Sequence, residues 1–264
     1  MNEVNIIRRT STVSTTALSG RKIDYIVIHY TAGVTSRPGS AVNVADWFAR
    51  GERSASADFA VDDEQIVQYN PDVENRYCWH CGDKKATFST GGSLYGICRN
   101  PNSIGIEICS SNKAGKVTTP NDPYFYFTPQ AVTTAVRLTK YLMEKYGIDA
   151  DHVIRHWDVS GKLCPGIDGW NGDSGNEAEW KKFKARIAGA TSEDTAQEEQ
   201  EETMEKRYKY VTELPDWAQE PIRSLMKRGI LIGDGNSDLD KRVIDMTLDM
   251  VRCVIWADRI AKEK

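Results

Sequence analysis

Four histidines occur in the 264 residues, at positions 29, 80, 152 and 156, and two of them stand where a metal ion could use them. His156 lies in the segment RHWDVSGKLCPG, with Cys164 eight residues on and Lys162 two residues before that cysteine. His29 sits at the end of the run KIDYIVIHY, where a strand holds a side chain rigidly and the following loop leaves it reachable. Two imidazoles and one thiolate are a known ligand set for catalytic zinc, which keeps its fourth tetrahedral position for water. A fourth protein ligand would close the site and make it structural, and His80, His152 and the remaining cysteines are the candidates for it. His152 precedes His156 by four residues and would share its face on a helix. Residues 151–158, however, carry weak helix signals and follow a helix that Gly147 ends.

Three further positions bear on chemistry. Glu107 lies within SIGIEIC, where an unpaired carboxylate among apolar residues is costly, so it either bonds a basic neighbour in the sheet or has a chemical role. Asp158 reads equally as the acceptor behind a ligand histidine and as an ordinary turn aspartate. Cys78 and Cys81 have CxxC spacing, but a thioredoxin-like motif should open a helix, and Gly82-Asp83 continues as a loop, which argues against a redox role.

The elements that must position these groups follow from periodicity. Residues 22–30 are apolar on both parities, the pattern of a strand buried on both faces and central in a sheet. Ser40 can cap a helix through Ala49, with Gly51 just past its end. Strands at 57–61 and 65–69 flank a hairpin turn at Asp62-Asp63-Glu64, and 103–109 alternates with Ile104, Ile106 and Ile108 on one face and Gly105, Glu107 and Cys109 on the other. Thr128-Pro129 opens a helix that ends at Gly147, and a last helix at 177–188 aligns Trp180, Phe183 and Ile187. Interleaved strands and helices make residues 1–188 an α/β domain. Residues 189–206 have scarcely a hydrophobe and read as an acidic linker; from 207 to 264 the apolar pattern resumes as a small, mainly helical module. In it Asp216 can cap a helix through Lys227, and a second helix from about 243 aligns Met246, Met250, Val254 and Ala257.

Composition excludes several classes. The net charge of −4 is concentrated in residues 193–205, which hold seven acids and no base; without them 34 bases face 31 acids. Near-neutral folded parts argue against an extended phosphate-binding surface, so nucleic acid is not an expected partner. No stretch approaches the roughly 18–20 apolar residues of a membrane helix, and insertion into a membrane is not expected. Six scattered cysteines do not make a secreted disulfide framework in a chain this long. The first 20 residues contain no apolar signal-peptide core, so synthesis is expected to end in the cytoplasm, with release by other means if the substrate lies outside.

The segments IHYTAG, SADFAVDDEQIVQ, WHCGD, NSIGIEIC and RHWDVSGKLCPG, in this order over residues 20–188, resemble the zinc-dependent N-acetylmuramoyl-L-alanine amidases of the phage-lysozyme type. That family shares its fold with the peptidoglycan recognition proteins, and the similarity is greatest to endolysins of phages and prophages of Gram-positive bacteria. The resemblance implies a central mixed β-sheet flanked by helices, one Zn2+ per chain on His29, His156 and Cys164, catalytic roles for Lys162 and Glu107, and His80 bordering the substrate groove. Many members of the wider family carry a catalytic tyrosine in the hairpin strand, where this chain reads Ser56-Ala57-Asp58-Phe59; the endolysin subgroup uses the glutamate instead. The implied reaction is hydrolysis of the amide between N-acetylmuramic acid and L-alanine in peptidoglycan. Such a protein acts on the cell wall after holin-type or lysis-dependent release. The rival reading is a recognition module on the same fold that binds without cutting; such relatives typically lose the cysteine ligand.

The C-terminal pattern W-A-x3-I-x2-L-x3-G-I-L-x-G-D-G resembles a surface-layer-homology-like module, which implies wall binding or, since so small a helical pair buries little by itself, packing into a homodimer. Asp234, Asn236, Asp238 and Asp240 alternate like calcium ligands, but Leu239 stands where an EF-hand requires glycine, so the segment reads as a turn.

Overall fold

The apolar run near the N-terminus becomes β3 (Tyr25–Tyr30), and the molecule is organised around it. A computed structural model of the chain describes residues 4–117, 119, 122–189, 207–247, 250, 251, 253–255, 257 and 258. The acidic linker lies outside the described residues from 190 to 206. By backbone contacts the chain divides into two units, Met1–Thr191 and Ser192–Lys264.

In the first unit a six-stranded mixed sheet runs in the order β1 (Ile6–Arg8), β5 (Ile66–Gln68), β4 (Phe59–Val61), β7 (Ser103–Ile108), β3, β10 (Val153–Arg155). Neighbours are parallel except for the β4–β5 hairpin. Two small antiparallel pairs lie outside it: β2 (Thr15–Ala17) with β6 (Arg76–Cys78), and β8 (Ser111–Asn112) with β9 (Phe125–Tyr126).

The alternation in β3 and β7 separates two faces. Ile26, Ile28, Ile104, Ile106 and Ile108 pack against one layer made of α2 (Pro129–Tyr146) and α4 (Ala178–Ala188), whose Leu138, Leu142, Trp180 and Phe183 complete the core. Fully burying a side chain of this size is worth about 1.5–3 kcal/mol, so this face fixes the strands. Helix α2 begins as its residues dictate: the Thr128 side chain accepts from the Ala131 amide, Pro129 takes the first helical position, and Gly147 ends it at φ 66°.

The opposite face is covered at its two ends and open between them. Helix α1 (Ser40–Arg50) lays Ala41, Ala45 and Phe48 over Ala60 and Val67. At the other end Val27 and Ile154 are covered by Val159 of α3 (His156–Ser160) and by Cys81 and Cys98. The strip left between α1 and α3 is the floor of a cavity lined by His29 and Tyr30 of β3 and Glu107 of β7.

Ser40 does not cap α1, contrary to expectation. It is the first helical residue, after Gly39 at φ 95°, and its hydroxyl donates to the Thr35 carbonyl while accepting from the Arg37 amide. The Ala41 amide is instead satisfied by the Asp62 carboxylate, which also accepts from Glu64 and Gln65 in the hairpin turn. A cap supplied from another element outcompetes the local hydroxyl because a charged acceptor bonds more strongly than a neutral one.

In the second unit β11 (Arg207–Tyr208) pairs antiparallel with β12 (Met246–Thr247), beside α5 (Asp216–Lys227). Its own core includes Val211, Ala218, Ile222, Leu225 and Val251. Two expectations are corrected. Pro215, not Asp216, occupies the cap position of α5. The helix expected from about 243 is helical only at the described residues from 250 on, because Asp245 takes φ 45° and the Ile244 amide bonds the Lys209 carbonyl, drawing the chain into the strand pair.

One buried carboxylate holds the sheet near its open strip. Asp58 accepts from the Gly105 amide at 2.8 Å and from the Asn70 side chain at 2.7 Å, with the Arg21 guanidinium 3.7 Å away. Asp58→Ala leaves a buried cation and two donors unpaired and is expected to cost about 3–5 kcal/mol. Denaturant unfolding measures it; a loss below about 1 kcal/mol, the value of a surface pair, would contradict this account.

Candidate functional site

Strand register sets out the site. In the parallel pairing of β3 and β7, His29 stands opposite Glu107. On the other side Arg155 of β10 pairs with Ile28, so the next residue, His156, comes level with His29 as the chain turns into α3. The three side chains therefore form a row at the carboxyl ends of parallel strands, where open α/β sheets place their ligands. Helix α3 lasts five residues before Gly161 ends it at φ 77°, and the returning loop is tied back by the Trp157 amide to the Cys164 carbonyl at 3.0 Å. That bond brings Cys164 to the row, its Sγ 3.6 Å from His29 Nδ1.

One ligand atom each from His29, His156 and Cys164 lies within 4.8 Å of the others, and all three residues are buried. This group could hold a metal ion, and the donors fit one. His156 Nδ1 is buried without a hydrogen-bond partner. Burial keeps His29 well below its ordinary pKa, with His156, His80 and Lys162 adding to the effect, so its ring is neutral as a ligand must be. Burial also pushes the Cys164 thiol up, an effect that a cation beside the sulfur reverses.

Glu107 keeps its Oε2 buried with no hydrogen-bond partner. Burial raises its carboxyl to about 8, against the pull of Lys162 and His80. A carboxyl so placed can exchange a proton near neutrality. Lys162 is about half exposed, with Nζ 3.2 Å from Asp83 Oδ2; the same oxygen lies 2.9 Å from His156 Nε2, off the line of a straight hydrogen bond. Asp83 is held down at about 2, chiefly by His156 and also by Lys162.

Asp83 is a residue that sequence reasoning passed over. The only signal for it was its place in WHCGD, and nothing in the spacing connects it to His156. His80 of the same segment has 9% exposure, with Nδ1 3.1 Å from His29 Nε2 and Nε2 3.2 Å from Ser103 Oγ. Its ring nitrogens thus face protein partners. Burial lowers its pKa, but the neighbouring Cys81 sulfur more than offsets this.

The remaining candidates fall outside the group. His152 is half exposed and bonds Asp149 at 2.6 Å, in a short 3-10 turn and not on a helix with His156. Asp158 backs no histidine; it accepts from the Arg155 amide and guanidinium, closing the start of α3. Cys78 and Cys81 point into different apolar clusters.

Two cavities meet over the row. One of about 600 Å³ is lined by the three buried donors, Glu107, Lys162 and Trp79. The other, about 740 Å³, continues beside α1 over Val44, Trp47 and Phe48. Tyr30, Phe48, Arg53 and Glu107 line both, so the two form a groove with Glu107 at its waist.

The pattern of the N-acetylmuramoyl-L-alanine amidase family matches residues 19–167. The N-acetylmuramoyl-L-alanine amidase CwlA of Bacillus subtilis is 36% identical over 144 residues, which are 54% of this chain and 43% of that protein. The amidase XlyB of Bacillus subtilis is 34% identical over 142 residues, 54% of this chain and 37% of that one. This chain therefore spans less than half the length of either relative. Among solved structures PlyL superposes with a TM-score of 0.50 at 24% identity, covering 71% of this chain and 99% of that one; it shares the mixed-sheet fold.

Removing the Asp83 carboxylate frees both His156 and Lys162. Asp83→Ala is expected to weaken divalent-metal binding about 10–100-fold, the usual cost of losing a group behind a ligand. Competition with a chromogenic chelator reads this, and unchanged affinity would remove Asp83 from the site's support.

Proposed function

Because the chain belongs to the N-acetylmuramoyl-L-alanine amidase family, we propose that it hydrolyses the amide between N-acetylmuramic acid and L-alanine in peptidoglycan, using one zinc ion held by His29, His156 and Cys164. The observation that carries this reading is the row of two imidazoles, a thiol and a buried carboxyl at the waist of one groove. Zinc suits two nitrogens and one sulfur, and when bound it supplies Lewis acidity and brings the pKa of water from 15.7 to about 7.

The protein's own groups do the rest. Glu107, with an unpartnered Oε2, takes the proton of the attacking water and returns it to the departing alanine nitrogen. A carboxyl raised by burial is suited to both transfers because it accepts near neutrality and gives the proton up readily. Lys162 holds an ammonium group at the mouth of the same cavity, positioned by Asp83, where it faces the negative charge that develops on the carbonyl oxygen. One such electrostatic donor is typically worth about 3–4 kcal/mol. The apolar lobe beside Trp47 and Phe48 excludes water from one arm of the substrate.

Residues 207–264, with a core of their own, serve in this reading to hold the enzyme on the wall lattice, where repeated sites reward tethering. Deleting them is expected to lower sedimentation with intact walls and to leave cleavage of soluble muropeptides near the full rate. Equal wall binding and equal lysis by both forms would reject the role.

Mass spectrometry of digested peptidoglycan is expected to show a new muramoyl carboxyl and a free L-alanine amine; binding without these products would favour the recognition reading. Cys164→Ala is expected to lose most metal and all turnover. Glu107→Gln should keep its zinc while losing about 10²–10⁴ in rate. Lys162→Ala should lose rate mainly in the chemical step. Zinc loss in Glu107→Gln, by elemental analysis, would make that residue a ligand and not a base.

A further inference from the structure

We propose that Trp157 is a positioning residue for the metal centre: its indole, wedged between the backbones at Gly91 and Gly172, fixes the spacing of His156 and Cys164. This rests on the reading of those two residues as metal ligands and goes beyond it, because Trp157 offers no donor to an ion and acts only through its neighbours.

Trp157 directly follows His156, and its main chain reaches two other segments. Its amide donates to the Cys164 carbonyl at 3.0 Å, the bond that brings the thiol to the row. Its carbonyl accepts from the Gly161 amide at 2.9 Å, closing α3, and from the Gly92 amide at 2.9 Å. The loop that carries Gly92 runs beside α3 through two more such bonds, from the Ala86 amide to the Ser160 carbonyl at 2.7 Å and from the Leu94 amide to the Asp158 carbonyl at 3.0 Å. Helix α3, the return to Cys164 and this loop are therefore registered to one another at a single residue.

The ring is held as closely as the backbone. A Cβ at Gly91 would stand 2.7 Å from Cε2 and 2.8 Å from Cδ2 of the indole, and one at Gly172 would stand 2.5 Å from Cζ2. Glycine at both places is what lets two backbones close on one ring. Asp173 clasps these jaws together, its Oδ1 accepting from the Thr90 amide at 3.0 Å, the Thr90 hydroxyl at 2.8 Å and the Ser89 hydroxyl at 3.2 Å. The Arg155 guanidinium lies 4.7 Å from a Trp157 ring centre and is itself fixed by Asp158 at 2.8 Å and Glu177 at 2.5 Å. Trp157 belongs to none of the apolar clusters that fix the sheet, so its clamp serves the segments that carry the ligands and not the isoleucine face. A binding constellation must be held to within about 0.5 Å by side chains whose own rotamers are locked, and this ring is locked from the loop, the 172 turn and Arg155 at once.

Metal titrations of the full chain test the proposal. Zinc affinity, by chelator competition, is expected to fall about 10–100-fold in Trp157→Ala, the usual cost of losing a group behind a ligand. Gly172→Ala leaves every ligand and Trp157 itself in place, yet is expected to lose affinity too, because its methyl group enters the space of the indole. Adding Trp157→Phe, whose ring is shorter, should restore most of that loss, a non-additivity that shows the two positions act through the same ring. With Co2+ at saturation, the thiolate-to-cobalt charge-transfer band is expected to weaken in Trp157→Ala and Gly172→Ala and to return in the double variant. A role in packing alone would lower the unfolding free energy and leave the affinity and the band of the folded protein unchanged. That result in folded Trp157→Ala, or a loss in Gly172→Ala that Trp157→Phe does not relieve, would overturn the proposal. If Trp157→Ala fails to fold, the Gly172→Ala series decides. A wild-type chain that binds neither ion would refute the metal reading and this inference with it. No readout involves turnover, so an inactive protein that follows the series counts against amide hydrolysis alone.

Discussion

The parallel pairing of β3 with β7 on one side and β10 on the other is the constraint on which the site depends. Because strand side chains alternate, a slip of one residue would turn His29 into the helix-covered core and bring a core residue to the groove. What prevents the slip is not the site. Ile26 and Ile28 in β3, with Ile104, Ile106 and Ile108 in β7, are fully buried against α2 and α4, so any slip would expose that whole set at once. The chemistry on one face is held in place by apolar burial on the other.

That arrangement lets the open face carry groups that do not favour folding. His29, His156, Cys164 and the Glu107 carboxyl are buried polar atoms, several without a protein partner, and each resists its charged form or is left unsatisfied. A sheet held only by its own hydrogen bonds could not support so many. Here the deficit is met by the isoleucine face and by satisfied buried polar groups nearby, such as Asp58 with Asn70 and Gly105. Departures from local stability rules gathered in one spot are what a functional site looks like energetically.

The parts of this legible in the sequence are those that depend on residue type and short spacing. The alternation around Glu107, the strand that presents His29 and the short interval from His156 to Cys164 are one-dimensional facts, and the structure brings those residues together. The helix from Thr128 to Gly147 was legible for the same reason, since its cap, its proline and its terminal glycine are local. Asp83 was not, because His156 and Lys162, which it meets, lie far along the chain and only the fold brings them close. Ser40 was misjudged, because a distant carboxylate took the capping role expected of it, whereas for Asp158 the sequence left two readings and the structure selects the local one, with Arg155 and not a histidine as its partner.

The cap that Asp62 supplies to α1 makes the two ends of the groove's apolar wall unlike. The helix that walls the apolar lobe is pinned at its first turn to the β4–β5 hairpin, itself part of the sheet. Its far end runs out through Gly51 into exposed residues 51–54, with Arg53 lying over the Trp47 ring 6.0 Å from its centre. The apolar wall of the groove is thus set against the sheet by a carboxylate at one end and bordered by an exposed guanidinium at the other, so its two ends differ in charge.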